Sequence, residues 1–238
     1  AYKVFGIDYY DSLFASCNMD KDFVRNLELN RNLPTKDIRV TGTVYLDHAL
    51  SRIDKLVIYK RKELTVLISP TWGEHGLLNI HGIKILKNLL ENNNFYIIVR
   101  PHPQSVRYEK KMLDELQGSL KRYKNIKWDF DDDGLPSMLE ADCMISDFSG
   151  IIFDFIFLFS KPVISMPSVQ NLNGKDYIDK NIPTWYTSLY YEITRVINES
   201  EIVELSSIIN KLTQSNIRKD EDKIKTFTTF IWGLPEDT

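Results

Sequence analysis

Short apolar runs that stop abruptly in polar residues recur along the chain. Runs at residues 13–16, 38–41, 64–69, 95–100, 126–129, 143–146 and 162–165 read as strands, rich in β-branched and aromatic residues. From residue 64 they alternate with helical patterns. Residues 77–92 place Ile80, Ile83, Leu86, Leu89 and Leu90 at helical spacing, and 105–120 do so with Met112, Leu113, Leu116 and Leu120. Residues 135–140 form a short segment, 150–159 are almost wholly apolar, and 202–212 are amphipathic. Such a βαβαβαβ series predicts an α/β fold, a Rossmann-like doubly wound parallel sheet. Residues 1–60 read as a lead-in of strand, helix near 21–29, short strand and charged helix over 46–60. Residues 61–213 form the main domain. Residues 214–238 form a closing segment, whose part 223–232 is expected to pack back across another domain.

The strand ends carry the chemistry. In open α/β sheets ligands sit outside the carboxyl ends of the strands. The 95–100 run ends in Arg100-Pro101-His102-Pro103, where the prolines stiffen an extended loop. A guanidinium can fork onto phosphate oxygens, and an imidazole can donate to a leaving phosphate. The 143–146 run ends in Ser146-Asp147-Phe148-Ser149-Gly150 ahead of the apolar helix. Ser149 is placed to cap that helix, and Gly150 lets an anion approach the free N–H groups of its first turn. Plain capping of a buried helix is the simpler alternative. The 64–69 run ends in Ser69-Pro70-Thr71-Trp72-Gly73-Glu74-His75-Gly76. Thr71 is a candidate phosphate contact there and Trp72 a candidate ribose or base contact; a glycine-broken loop with a packing Trp competes equally. Taken together, these ends look like a pocket for a phosphate-bearing donor.

Composition narrows the classes. A net charge of −3 argues against a nucleic-acid binder. Cys17 and Cys143 give no disulfide framework, which favours a reducing, cytoplasmic compartment. The longest apolar stretch, 151–160, is too short to span a bilayer and contains Asp154. The sequence shows no signal peptide, and its start at Ala1 suggests a domain cut from a longer protein. Neither a P-loop nor a Gly-x-Gly-x-x-Gly after a strand occurs, which removes P-loop NTPases and dinucleotide dehydrogenases. His75 and His81 lack companions for zinc, so no metal and no cofactor is expected. Asp129 through Gly134 with Glu140 matches a calcium-loop pattern, but a strand precedes it where that loop needs a helix. A non-catalytic calcium-binding or adaptor domain is therefore the alternative of another class. Basic residues between Arg107 and Lys127 read as a solvated face, with an anionic membrane surface as the competing partner.

Several segments, in order, resemble the CDP-glycerol glycerophosphotransferase family, which includes teichoic acid primases and polymerases. They are Thr41-Gly42-Thr43-Val44-Tyr45-Leu46-Asp47, Ser69-Pro70-Thr71-Trp72, Arg100-Pro101-His102-Pro103, Ile145-Ser146-Asp147-Phe148-Ser149-Gly150-Ile151-Ile152-Phe153-Asp154-Phe155 and Lys161-Pro162-Val163-Ile164. The resemblance implies the carboxyl-terminal, donor-binding half of a GT-B architecture. It implies CDP-glycerol as donor, a polymer or lipid-linked acceptor, and CMP as leaving group. His102 as an imidazolium and Asp147, orienting His102 or a donor hydroxyl, would be catalytic. Ser69, Thr71, Trp72, Arg100, Ser146, Ser149, Gly150 and Asp154 would bind substrate. The family's His-Gly motif, thought to supply the acceptor base in the other domain, has no counterpart here, so the chain alone is expected to bind donor without turnover. Ser149-Gly150 stands where many members have Ser-Ser, which leaves a nucleotide-sugar transferase as the alternative. Contact with the cytoplasmic face of the cell membrane is a further expectation. Base and sugar contacts are expected from 165–173 and 183–188.

Overall fold

A computed structural model describes residues 5–57, 61–91, 95–167 and 185–214. The chain divides into two compact units. The first comprises Ala1–His48, Asn171–Ile193 and Glu221–Thr238; the second comprises Ala49–Gln170 and Thr194–Asp220.

In the first unit, β1 (Ser12–Ala15) and β2 (Asp37–Val40) pair in parallel, joined by α1 (Asn18–Arg31). Ile7, Ala15, Val24, Leu27 and Ile38 form its core. Helix α1 stops at Asn32, whose left-handed φ of 53° lets its N–H reach back to Glu28 and Leu29 carbonyls. Glu28, buried, accepts from Arg25 and from the Lys36 N–H, which ties the helix to the chain entering β2. Helix α2 (Val44–Ile53) follows.

The second unit is a six-stranded parallel sheet. Its strands are β3 (Leu64–Ile68), β4 (Phe95–Val99), β5 (Ile126–Trp128), β6 (Cys143–Ser146), β7 (Val163–Ser165) and β8 (Arg195–Val196). Their order is β5-β4-β3-β6-β7-β8. Counted within the sheet this is 3-2-1-4-5-6, the Rossmann order, with its switch point between β3 and β6. Val66, Leu67, Ile68, Ile97, Ile98, Val99, Met144 and Ile145 are all buried. Adjacent residues point to opposite faces, so both faces of these strands are covered, as continuous apolar runs require.

The helices are α3 (Leu77–Ile80), α4 (Gly82–Glu91), α5 (Pro103–Tyr108), α6 (Lys110–Leu120), α7 (Leu135–Glu140), α8 (Ile151–Phe159), α9 (Trp185–Ile193) and α10 (Leu205–Gln214). The periodic stretches 77–92 and 105–120 are each broken once. The first breaks at His81, before the buried Gly82. The second breaks at Glu109, at φ −121° and ψ 29°. A 3-10 turn, Glu199–Glu204, leads into α10 and is held by an Asn198/Glu201 capping box. The expected strands at 143–146 and 126–129 fall where the pattern puts them, to within a residue. Strand β8 was not read from sequence, because two residues carry no period. Residues 215–238, with the expected closing segment 223–232, lie outside the described residues, as do 168–184.

Candidate functional site

The switch point is organised by Asp147, just past β6. It is fully buried. One carboxylate oxygen accepts the Thr71 N–H at 2.6 Å and the other the Leu77 N–H at 2.9 Å. Asp147 thus clamps both ends of the loop between β3 and α3. Burial raises its pKa, while the two N–H donors pull the other way. These bonds, rather than one to His102, define its position, so the expected orientation of His102 by Asp147 is corrected. Ser146, equally buried, donates its hydroxyl to the Ser69 carbonyl at 2.7 Å and ties the ends of β6 and β3 together. Ser69 is buried as well.

The loop itself needs its glycines. Gly73 has φ +109°, a conformation that side chains resist. At Gly76 a Cβ would meet the Gly73 and Thr71 carbonyl oxygens at 3.0 and 3.1 Å. This fold of the loop exposes Trp72, whose ring stacks near His102 (centroids 6.4 Å apart, 24° between planes) and Tyr108 (6.1 Å).

His102 follows β4 and precedes α5, with Pro103 in the first turn as a helix start favours. Its Nδ1 accepts the Gln104 N–H at 3.1 Å. An accepting nitrogen carries no proton, so the neutral ring bears its hydrogen on Nε2. Burial lowers its pKa, against the opposing charge of Glu109. The accepted bond and the lowered pKa both favour the neutral ring, with its hydrogen on Nε2, over the imidazolium expected from sequence.

Arg100 is differently employed from the expectation of a phosphate contact. Its guanidinium pairs with Asp129 at 2.8 Å and donates to the Asp132 carbonyl at 3.2 Å. The arginine and aspartate side chains are 11% and 3% exposed. Gly134 makes room: a Cβ there would lie 2.9 Å from the Arg100 Nε. Asp129 also accepts from the Ser137 hydroxyl and the Asp131 N–H. Asp133 accepts the Leu135 N–H and pairs with Arg52, and Glu140 pairs with Arg61. The Asp129, Asp133 and Glu140 carboxylates of the calcium-like pattern are thus turned to separate partners. Among the described residues no group of three or more metal-binding side chains converges.

At the start of α8 the cap position is Gly150, with no side-chain cap bond, so the expected capping by Ser149 is corrected. Gly150 is exposed, and nothing lies within 4 Å of where its Cβ would be. Its φ of −61° and ψ of −26° suit any residue. One turn on, Asp154 has no hydrogen-bond or ion-pair partner among the described residues, and burial pushes its pKa up to about 6. The sheet edge thus brings together Thr71, Trp72, Asp147, His102 and the Gly150 turn on neighbouring strand ends. It withdraws Arg100, Ser69 and Ser146 into supporting contacts. Sequence reasoning missed Glu109, which lies outside the motifs, and read Asp129 only as part of the calcium-like pattern rather than as the partner of Arg100; the regions expected to contact base and sugar lie largely outside the described residues. Among the described residues no helix is long and apolar enough to cross a membrane.

Comparison with known proteins adds the following. The family described as CDP-Glycerol:Poly(glycerophosphate) glycerophosphotransferase matches residues 34–228. No curated protein matches. A structure of the Wall Teichoic Acid Polymerase TagF superposes with a TM-score of 0.58 at 20% identity, covering 97% of this chain and 55% of that one. A variant of the same polymerase soaked with CDPG gives 0.55 at 18% identity, covering 97% and 54%. A putative UDP-N-acetylglucosamine 2-epimerase from Listeria monocytogenes gives 0.60 at 11% identity, covering 87% and 53%. The chain spans about half the length of these proteins. What they share with it is the fold, a Rossmann-like half of a GT-B architecture.

Proposed function

Because the chain belongs to the CDP-glycerol:poly(glycerophosphate) glycerophosphotransferase family, we propose that it holds the nucleotide donor, CDP-glycerol, for transfer of glycerol phosphate to a cell-surface polymer. The observation that carries this reading is the switch point between β3 and β6. There a buried carboxylate clamps one loop and an exposed Gly150 opens the next helix. The diphosphate would lie on the first turn of α8, where N–H groups and the helix dipole favour an anion. Trp72 offers an exposed face to the ribose or base. An acceptor hydroxyl attacks the phosphorus bearing glycerol, the bond from that phosphorus to the bridging oxygen breaks, and CMP leaves. The neutral His102 donates from Nε2 to the oxygens gathering charge on the departing phosphate. This is electrostatic stabilisation, with no covalent intermediate. Asp154 accepts a donor hydroxyl. The acceptor polymer and any contact with a membrane surface belong to this same reading.

Gly150 gives a test that leaves the fold alone, because its backbone is ordinary helix and its Cβ direction is open. Calorimetric titration with CDP-glycerol, CMP and UMP is expected to show binding of the first two. Gly150→Asp, which fills the turn with a negative charge, is expected to weaken it at least about 100-fold, from like charges in contact. Preference for UMP would move the reading to a nucleotide-sugar transferase. Unaltered binding in Gly150→Asp would remove the α8 turn from the site. For His102, His102→Ala in the full-length enzyme is expected to slow CMP release with acceptor present at least about 100-fold, the usual cost of losing a proton donor or oxyanion contact. Near-normal turnover would take His102 out of the mechanism.

A further inference from the structure

Glu109 lies between α5 and α6, outside every motif in the sequence. One of its carboxylate oxygens accepts the Gly73 N–H at 3.1 Å and the Asn79 side-chain amide at 2.7 Å. Asn79 also donates to the Gly73 carbonyl at 2.8 Å. Glu109 therefore holds the residue next to Trp72, and Trp72 stacks near His102. The other carboxylate oxygen, Oε2, is buried with no hydrogen-bond partner.

That second oxygen is the informative one. The clamp on Gly73 and Asn79 uses a single acceptor atom, which a glutamine would supply equally well. Burying an unpaired carboxylate oxygen is costly, so hydrogen bonding alone does not account for a negative charge here. The titratable group on which the Glu109 carboxylate acts is His102, where it opposes the effect of burial. The other neighbours do not compete for that role. Gln104, Trp72 and Tyr108 are uncharged. Arg107 lies over the Tyr108 ring at 5.9 Å, Glu74 and His75 are exposed and pair with one another, and Asp147 is engaged by Thr71 and Leu77.

We propose that Glu109 is a positioning residue for the His102–Trp72 pair, pinning the loop that carries Trp72 and placing its carboxylate beside that pair. Its two functions separate cleanly. The acceptor atom orders the loop. The charge offsets part of the lowering that burial imposes on the His102 pKa. The inference rests on the reading of His102 as part of the donor site only for its use in transfer; the coupling itself is a property of the unliganded chain.

The test compares Glu109→Gln, which keeps the acceptor and removes the charge, with Glu109→Ala, which removes both. The chain has four histidines, so the His102 ring signals can be followed by NMR and assigned with a His102→Gln blank. In Glu109→Gln the His102 titration midpoint is expected to fall by about half a pH unit or more. The Trp72 emission, isolated by subtraction of a Trp72→Phe variant, is expected to stay unchanged in Glu109→Gln and to change in Glu109→Ala. A midpoint in Glu109→Gln within about 0.1 of wild type would overturn the electrostatic role, since an adjacent charge acts by more than that. Unchanged Trp72 emission in Glu109→Ala would overturn the clamp. If wild type shows no affinity for CDP-glycerol or CMP while the midpoint falls as expected, the donor reading fails and the assignment of Glu109 stands.

Discussion

Arg100→Ala is expected to destabilise the second unit by about 3–5 kcal/mol, the cost of leaving a buried carboxylate without its counter-ion. Asp129 is 3% exposed and cannot be rescued by water. After the substitution it would retain only the Ser137 hydroxyl and the Asp131 N–H. The loss should appear in the denaturant midpoint with little change in slope. Adding Asp129→Asn to Arg100→Ala is expected to restore part of the stability, because the orphaned charge goes with it. A double variant as unstable as the single one, or a single variant within about 1 kcal/mol of wild type, the range of an exposed pair, would show that the ion pair does not hold this region.

The pH dependence has a definite sign. Burial alone would raise the Asp129 carboxyl, but the Ser137 hydroxyl, the Asp131 N–H and Arg100 outweigh it and hold the pKa below the usual 3.8. A depressed carboxyl pKa contributes stability above the unfolded value and loses it as pH falls through the folded one. The gap between wild type and Arg100→Ala should therefore be constant near neutrality and close below about pH 4. A functional consequence follows. Donor binding lost in Arg100→Ala would report on the loop after β5 as much as on phosphate, so Gly150, whose replacement is structurally silent, is the better probe of the anion site.

The main sheet was legible because its strands are buried on both faces, and continuous β-branched runs such as Phe95–Val99 have few other uses. The polar residues that end those runs were legible too. Their individual duties were not. Arg100 and Ser146 look alike on paper to ligand contacts, yet each finds a partner far away in sequence: Asp129 for the first, the Ser69 carbonyl for the second. A motif reports which residues share an edge, and long-range packing decides which of them face outward. The helix breaks at His81 and Glu109 were hidden for the same reason. The apolar period runs on through both, while Glu109 reaches across to Gly73. The short β8 and the 3-10 turn at Glu199–Glu204 carry too few residues to show any period.

Asp154→Asn is expected to make the protein more stable and its donor binding weaker. The carboxyl is pushed up to about 6 by burial, with no cation or donor among the described residues to offset it. Raising a carboxyl from its usual 3.8 to that value costs the folded state up to about 3 kcal/mol at neutral pH. The sign runs opposite to that of Asp129. The penalty is absent below about pH 4, where folded and unfolded chains are both protonated, and grows until it is complete above about pH 6. Asparagine removes it, so the variant should exceed wild type by its full margin at pH 7.5 and by nothing near pH 4. A variant no more stable at pH 7.5 would mean that the carboxylate is already compensated. The binding arm distinguishes a useful charge from an accidental one. A carboxylate that accepts a donor hydroxyl makes a charge-assisted bond, worth roughly 1.5–3 kcal/mol. Asparagine should then weaken CDP-glycerol about tenfold or more, and wild-type affinity should rise with pH through about 6 as Asp154 ionises. Gain of stability with undiminished affinity would leave Asp154 a cost without a function, and would move the hydroxyl contact elsewhere on the sheet edge.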